Sequence, residues 1–452
     1  MTKILILPAE IYSREFDARL LHGIVALTRG WRVIVGSKAL INRAIWRLPR
    51  GLYLCQTMTH KRRTTLKLLR RLGYVCVGWD EEGFIYLDRD VYLMRRVSLD
   101  TLKHLDSVIT WGKQGAEDVG FRSRAIGIEP LPLGNPRFDL VRRDLHALYA
   151  AEVEAIRVKY GRFILINTNF SSLNPIVSLH DLKPRKTSDK HPPSEKELRR
   201  FASFQEHRRA VLKGFIEDLP KLARKLADVR FIMRAHPGEN EELWKNAFAG
   251  LANVTVIREG SSVPWLIAAD ALIHNGCTTA VEAAVIGLTP IAYCPAVSPG
   301  EESAVPNPIS FRACNLDELE EALQRSMSRT LPMGNEQTEL LSRYLSAVKG
   351  DLASAAIMNH FDALNLEQSN SNMLERAFYR TYAMLRHAYK SMRRGHLTDR
   401  YLDKVFPEVS REQVGARANQ IARALSLPDN IRVRTISRNV FELTLRNGPL
   451  RS

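Results

Sequence analysis

The sequence predicts an α/β protein of two Rossmann-like domains facing a cleft, followed by a basic appendage of helix and β-hairpin. Three observations carry this. Short apolar runs alternate with helix-length segments through the first 140 residues, and the alternation restarts with GRFILINTNF at 161–170. Polar residues collect just past those runs, where doubly wound sheets bind ligands. Beyond Glu367 the composition shifts to a basic amphipathic segment and an alternating, hairpin-like close. The expected divisions are 1–140 and 141–365, the two Rossmann-like domains, and 366–452, the appendage.

Composition bounds the answer. At 452 residues, 45% hydrophobic and 25% charged, the chain has room for two ordinary domains plus an appendage. No segment approaches the roughly 20 apolar residues needed to span a bilayer. The opening MTKILILPAE lacks the long apolar centre and small-residue cleavage site of a signal peptide. Five cysteines are scattered without Cys-x-x-Cys spacing, which suggests neither a disulfide framework nor a zinc site and fits a reducing cytoplasm. The net charge is +17, and from Lys38 to Arg71 there are ten Lys and Arg and no acid. Such a stretch suits an anionic membrane, a phosphate-bearing acceptor or nucleic acid, or it is only a solvated basic face.

KILIL (3–7) reads as a first buried strand. The segment after it places Phe16, Leu20, Ile24 and Leu27 at helical spacing, with Gly30 as the stop. WRVIVGSK, GLYLC, YVCVG and SVITWG continue the strand series. No G-x-G-x-x-G fingerprint appears, so a dinucleotide cofactor is not supported. Glu10, Arg14 and Asp17 follow the first strand and are candidates to bind sugar or acceptor. Asp80, Glu81 and Glu82 follow the fourth strand. Three adjacent carboxylates should repel one another and raise at least one pKa, which suits a base or a nucleophile. They could equally cap the following segment, and no nearby His completes a metal site.

In the second half, Asn167, Thr168 and Asn169 end a strand and are expected to look into the cleft. Residues 171–198, rich in Pro, Ser and Lys, read as a long mobile loop and a possible lid. The stretch from Val229 to Tyr293 organises this half. Arg234, His236 and Pro237 follow one strand, and His274, Asn275 and Gly276 follow another. Thr278 and Thr279 then open a helix that Gly287 closes, and the helix start offers N–H groups to a phosphate. Glu282, one turn along, could accept ribose hydroxyls. These residues read as half of a nucleotide-sugar site, although Gly and Thr at such turns are often only turn and capping chemistry.

In the expected appendage, Leu374, Phe378, Tyr382, Leu385 and Tyr389 form an apolar stripe. From Leu374 to Arg400 there are seven Lys and Arg against two acids. A membrane-surface helix and a helix packed on the core share this period. IRVRTISRNVFELTL alternates like a hairpin around Ser437-Arg438-Asn439.

EIYSREFDARLL, DEEGF, GNPRFD, INTNF, the His-Pro pair and HNGCTTAVEA together resemble bacterial surface-carbohydrate biosynthesis proteins. More narrowly, they are similar to transferases of 3-deoxy-D-manno-octulosonic acid (Kdo) that use its CMP-activated form. The resemblance implies the GT-B fold, with the acceptor on the N-terminal domain and the donor on the C-terminal one. It implies that His236 with Pro237, and Thr278 with Thr279, hold the cytidine monophosphate. Glu81-Glu82-Gly83-Phe84 matches a Glu-Asp-Gly-Phe motif whose Asp attacks the sugar, so Glu82 stands at the nucleophile's position as a departure from the family. A single phosphate needs no metal clamp, and no cofactor is expected. Arg14 and Arg234 are candidate partners for the sugar's carboxylate. The implied partners are a CMP-sugar donor, a lipid-linked or polysaccharide acceptor and the inner-membrane surface, with no nucleic acid. The implied location is the cytoplasm, peripheral to that membrane. Three alternatives remain: another CMP-ulosonic acid transferase, a UDP-N-acetylglucosamine 2-epimerase-like enzyme, or a basic scaffold that binds without catalysis.

Overall fold

Most of the apolar runs become strands because they are short, buried on both faces and bounded by polar residues or glycine. In the computed structural model the described residues are 3–84, 86, 89–175, 195–298, 301–302, 305–366, 372–393, 403 and 405–446. They form two compact units, Met1–Leu148 with Ser342–Ser452, and Tyr149–Leu341.

The first unit contains β1 (Ile4–Ala9), β2 (Arg32–Ser37), β3 (Leu52–Cys55), β4 (Val75–Trp79), β5 (Ser107–Thr110) and β6 (Leu131–Pro132). The second contains β7 (Phe163–Asn167), β8 (Arg230–Arg234), β9 (Val254–Val256), β10 (Ala271–His274), β11 (Ile291–Tyr293) and β12 (Phe311–Ala313). Late in the chain, β13 (Ile431–Ser437) and β14 (Val440–Leu445) make the expected hairpin.

The second sheet runs β9-β8-β7-β10-β11-β12, all parallel. Counted within the unit this is the order 3-2-1-4-5-6, whose topological switch lies between β7 and β10. The first sheet runs β13-β14-β2-β1-β3-β4-β5-β6, and its switch lies between β1 and β3. The two-Rossmann α/β class expected from the sequence is therefore present.

The domain limits differ from 1–140, 141–365 and 366–452. Asp139, buried, accepts from the amides of Ala353 at 2.8 Å and Ser354 at 2.9 Å, so it caps the helix Ala353–Ala363 and ties it to the first unit. The hairpin is not an appendage either. β14 pairs antiparallel with β2, Val440 opposite Gly36 and Leu443 opposite Val33. A Cβ at Gly36 would lie 2.1 Å from the Asn439 carbonyl, so only glycine permits that approach. Asn439, at φ 52°, is buried with its side chain on the backbone of Pro407 and Val409. Of the long loop expected as a lid, residues 176–194 lie outside the described residues.

Candidate functional site

Both switch points carry candidate residues. In the first unit, Gln56 just past β3 donates from Nε2 to the Pro8 carbonyl and to Glu15 Oε2, each at 2.7 Å. Glu15, buried on the helix Tyr12–Thr28, also accepts from the Glu10 amide and from Arg14, each at 2.7 Å. Burial would raise the Glu15 pKa, but Arg19, Arg14 and the Glu10 amide hold it below the ordinary carboxylate value. Arg19 is fully enclosed, donating to the Pro8 carbonyl at 3.1 Å and lying 4.9 Å over the Trp79 ring. The sequence reading did not single out Glu15, Arg19 or Gln56. A Glu and an Arg one turn apart on an otherwise apolar helix face were the available signal.

The run Asp80–Glu82 is divided by burial. Asp80 and Glu81 are buried, whereas the Glu82 side chain is 60% exposed. Glu81 pairs with Arg19, Asp80 with Arg96, and Glu82 with Arg96 at 2.7 Å. The expected repulsion among three neighbouring carboxylates is thus offset by two guanidinium groups set between them. Arg14, whose pKa burial would lower, is carried above its ordinary value by Glu15, then Glu81 and Glu82, which places it among these acids. Glu10 is exposed and pairs with Lys38. Asp17, expected to bind sugar or acceptor, pairs through its carboxylate with Arg417 of the helix Arg411–Ala424 at 2.6 Å, which braces the two helices.

In the second unit, Asn167, Arg234 and His274 stand level at the ends of three adjacent strands, Asn167 opposite both of the others. Across the switch point the Asn169 amide donates to Asn275 Oδ1 at 2.8 Å. Two His-x-Gly turns follow. The Gly238 amide donates to His236 Nδ1, and the Gly276 amide to His274 Nδ1, both at 3.0 Å. An Nδ1 that accepts leaves the proton of a neutral ring on Nε2.

The two histidines then part. His236, with Pro237, is exposed. His274 is enclosed, its Nε2 bonded to Ser310 Oγ at 2.8 Å, and burial drops its pKa to about 3. With both ring nitrogens engaged below the surface, His274 braces the turn, which corrects the expectation that it contacts a donor directly. Gly276 takes φ 84°, a conformation that glycine reaches without strain.

Thr278 precedes the helix Thr279–Ile286, and its side chain makes no capping hydrogen bond. Glu282 is buried and accepts from Ser262 Oγ at 3.0 Å. Arg234 lies 5.3 Å over the Trp265 ring and donates to the carbonyls of Glu259 at 2.7 Å and Gly260 at 3.0 Å. Burial lowers its pKa to about 10, against the pull of Glu282 and Glu259.

The residue missed here is Glu239. Fully buried, it accepts from Thr168 Oγ1 at 3.0 Å, the Phe170 amide at 2.7 Å, Trp244 Nε1 at 3.1 Å and the His236 amide at 3.3 Å. Thr168 therefore serves the loop from beneath. Arg208, on the long helix Glu195–Lys225, donates to Ser172 Oγ at 2.6 Å and to the Asn169 carbonyl, and burial lowers its pKa. Among the described residues no three His, Cys, Asp or Glu side chains gather as a metal ion would require.

No protein-family model matches the chain, and no curated protein matches it. Among solved structures it is similar to the UDP-GlcNAc 2-epimerase of Neisseria meningitidis bound to UDP-GlcNAc, at 10% identity and TM-score 0.46, over 81% of this chain and 100% of that one. It is similar to the UDP-GlcNAc 2-epimerase of Methanocaldococcus jannaschii in complex with UDP-GlcNAc and UDP, at 13% identity and TM-score 0.49, over 80% and 99%. The wall teichoic acid polymerase TagF aligns at 11% identity and TM-score 0.41, over 87% and 90%. At these values the similarities carry no argument about chemistry, and the α/β class rests on the two sheet orders.

Proposed function

We propose that the protein is a glycosyltransferase that moves a Kdo-like ulosonic acid from its CMP-activated form to a surface-polysaccharide or lipid-linked glycan. The observation that supports this best is the contrast between the two His-x-Gly turns. One ring is enclosed as a brace, while His236 is left exposed with its proton on Nε2, on the same sheet edge as the start of helix Thr279–Ile286. A monophosphate leaving group is well served by such a donor and a helix start, and needs neither a metal clamp nor a glycine-rich pyrophosphate loop.

In this reading the second unit holds the nucleotide and Glu82 supplies the nucleophile. A Glu82 carboxylate oxygen bonds to the anomeric carbon as the bond from that carbon to the phosphate oxygen breaks, and CMP leaves with the electron pair. The acceptor hydroxyl then attacks the same carbon, the bond to Glu82 breaks and frees its carboxylate, and the hydroxyl proton passes to water, with net retention. Glu82 is favoured over its neighbours because it alone of the three is open to solvent. Glu10 and Arg14 sit on the same network and would orient the sugar or acceptor.

Parallel calorimetric titrations with CMP, UDP and CDP test the reading. CMP binding tightest is expected. Preference for UDP would replace it with the epimerase-like reading, and binding of none of the three would leave a basic scaffold.

A further inference from the structure

We propose that the outer face of the helix Met373–Arg393 seats the protein on an anionic lipid surface. This does not rest on the transferase reading, and either can fail alone. The helix has an inner side that packs on the first unit. Glu375 pairs with Arg71, the Arg71 guanidinium lies 5.7 Å over the Tyr379 ring, Arg380 Nε donates to the Trp46 carbonyl at 2.8 Å, and Ala383 is buried. Its position is therefore held by specific contacts.

The opposite side is solvent-exposed among the described residues. Leu374 is 82% exposed, Phe378 66%, Tyr382 47%, Leu385 60% and Tyr389 55%. At 3.6 residues per turn these five fall within about 80° of arc, and Met373 and Met384 extend the exposed apolar face on one flank. Helical spacing puts Arg386 at one border of this face and Arg380 at the other. Arg47, next to Trp46, and Lys67, one turn before Arg71, are exposed beside the helix. They belong to the stretch Lys38–Arg71, with ten cations and no acid.

Water strongly disfavours so much ordered apolar surface, and monomeric proteins seldom keep a patch of this kind without a use. A second copy of this chain is a poor occupant, because each carries net charge +17 and the two basic borders would be brought together. An anionic bilayer accepts the aromatic and aliphatic side chains below its headgroups and pairs with the arginines at their level. Among the described residues no helix is long and apolar enough to cross a membrane, so contact is in the interface plane.

The test uses the full chain, because β13 and β14 complete the first sheet and truncation would unfold it. Sedimentation with phosphatidylglycerol-containing vesicles, against pure phosphatidylcholine vesicles, should show binding to the former that weakens with added salt. The double variant Phe378→Glu, Leu385→Glu should lose binding by about tenfold or more, with an unchanged melting temperature. Arg386→Gln with Lys67→Gln should weaken it less and flatten the salt dependence. Equal sedimentation with both lipids, or wild-type binding by the double variant, would overturn the proposal. So would light scattering that shows a dimer which Phe378→Glu, Leu385→Glu turns into a monomer while neither form binds vesicles.

Discussion

Glu239 and Thr168, 71 residues apart, share a buried hydrogen bond of 3.0 Å that ties the end of β7 to the loop after β8. Through it a single carboxylate sets the height of the His-Pro turn, because the same group accepts from the His236 amide. Glu239→Ala would leave four donors without an acceptor, each costing about 1–3 kcal/mol when buried. The expected result is a loss of more than about 3 kcal/mol in denaturant unfolding. Glu239→Gln, which keeps one acceptor oxygen, should lose less.

The two histidines should separate binding from stability. His236→Ala is expected to weaken CMP binding by about 1.5–3 kcal/mol, the worth of one hydrogen bond to a charged group, with little change in melting temperature. His274→Ala should do the reverse in unfolding measurements, since it removes the anchor for both the Gly276 amide and Ser310. Equal effects of the two on CMP binding and stability would place both rings in one role.

Within the acidic run, Glu82→Gln should abolish transfer by orders of magnitude while CMP binding and stability persist. Incubation of the wild type with donor alone should leave a sugar-sized mass increment on the peptide containing Glu82. Glu81→Gln should instead destabilise the first unit, by about 1.5–3 kcal/mol, because the enclosed Arg19 loses one of its two carboxylate neighbours and keeps only Glu15. Inverted product configuration without an adduct would make a carboxylate of the run a general base.

Two enclosed imidazoles predict acid sensitivity. Burial takes His274 and His22 from the ordinary 6.5 to about 3. The unfolded chain takes up these protons near 6.5 and the folded chain resists until about 3. Stability is therefore full above 6.5 and falls as pH drops through that window, by up to about 1.4 kcal/mol per unit for each ring. Glu239, whose pKa burial raises, acts in the opposite direction over the carboxylate range. His22, stacked edge-on against Phe361, has neither nitrogen in a hydrogen bond. His22→Leu should leave stability at neutral pH equal or higher and flatten the acid slope, read by thermal melts across pH.

The strands were legible because burial on both faces leaves nearly unbroken aliphatic runs such as ILILPA and FILIN, and polar residues mark where each run meets its loop. That logic placed Asn167, Arg234, His236 and the carboxylate run at or just past strand ends. It failed where partners come from far along the chain. Nothing local tells that Asp17 is matched by Arg417, that Asp139 caps a helix at Ala353, or that β2 takes β14 as its neighbour. Exposure was equally hidden. His236 and His274 sit in the same His-x-Gly pattern, and only the packing of Ser310 over one ring distinguishes them.

Because the first unit draws on both early and late segments while the second is one continuous stretch, Tyr149–Leu341, the order of synthesis has a structural meaning. On the ribosome the second unit is complete long before the first. Until β14 emerges, β2 offers an open edge of unpaired backbone groups, and the helix Tyr12–Thr28 waits for the helix that carries Arg417. The nascent protein thus holds a finished second unit beside an adhesive, unfinished sheet. Premature stops after residue 341 should yield chains that trap chaperones or aggregate although most of their residues are present.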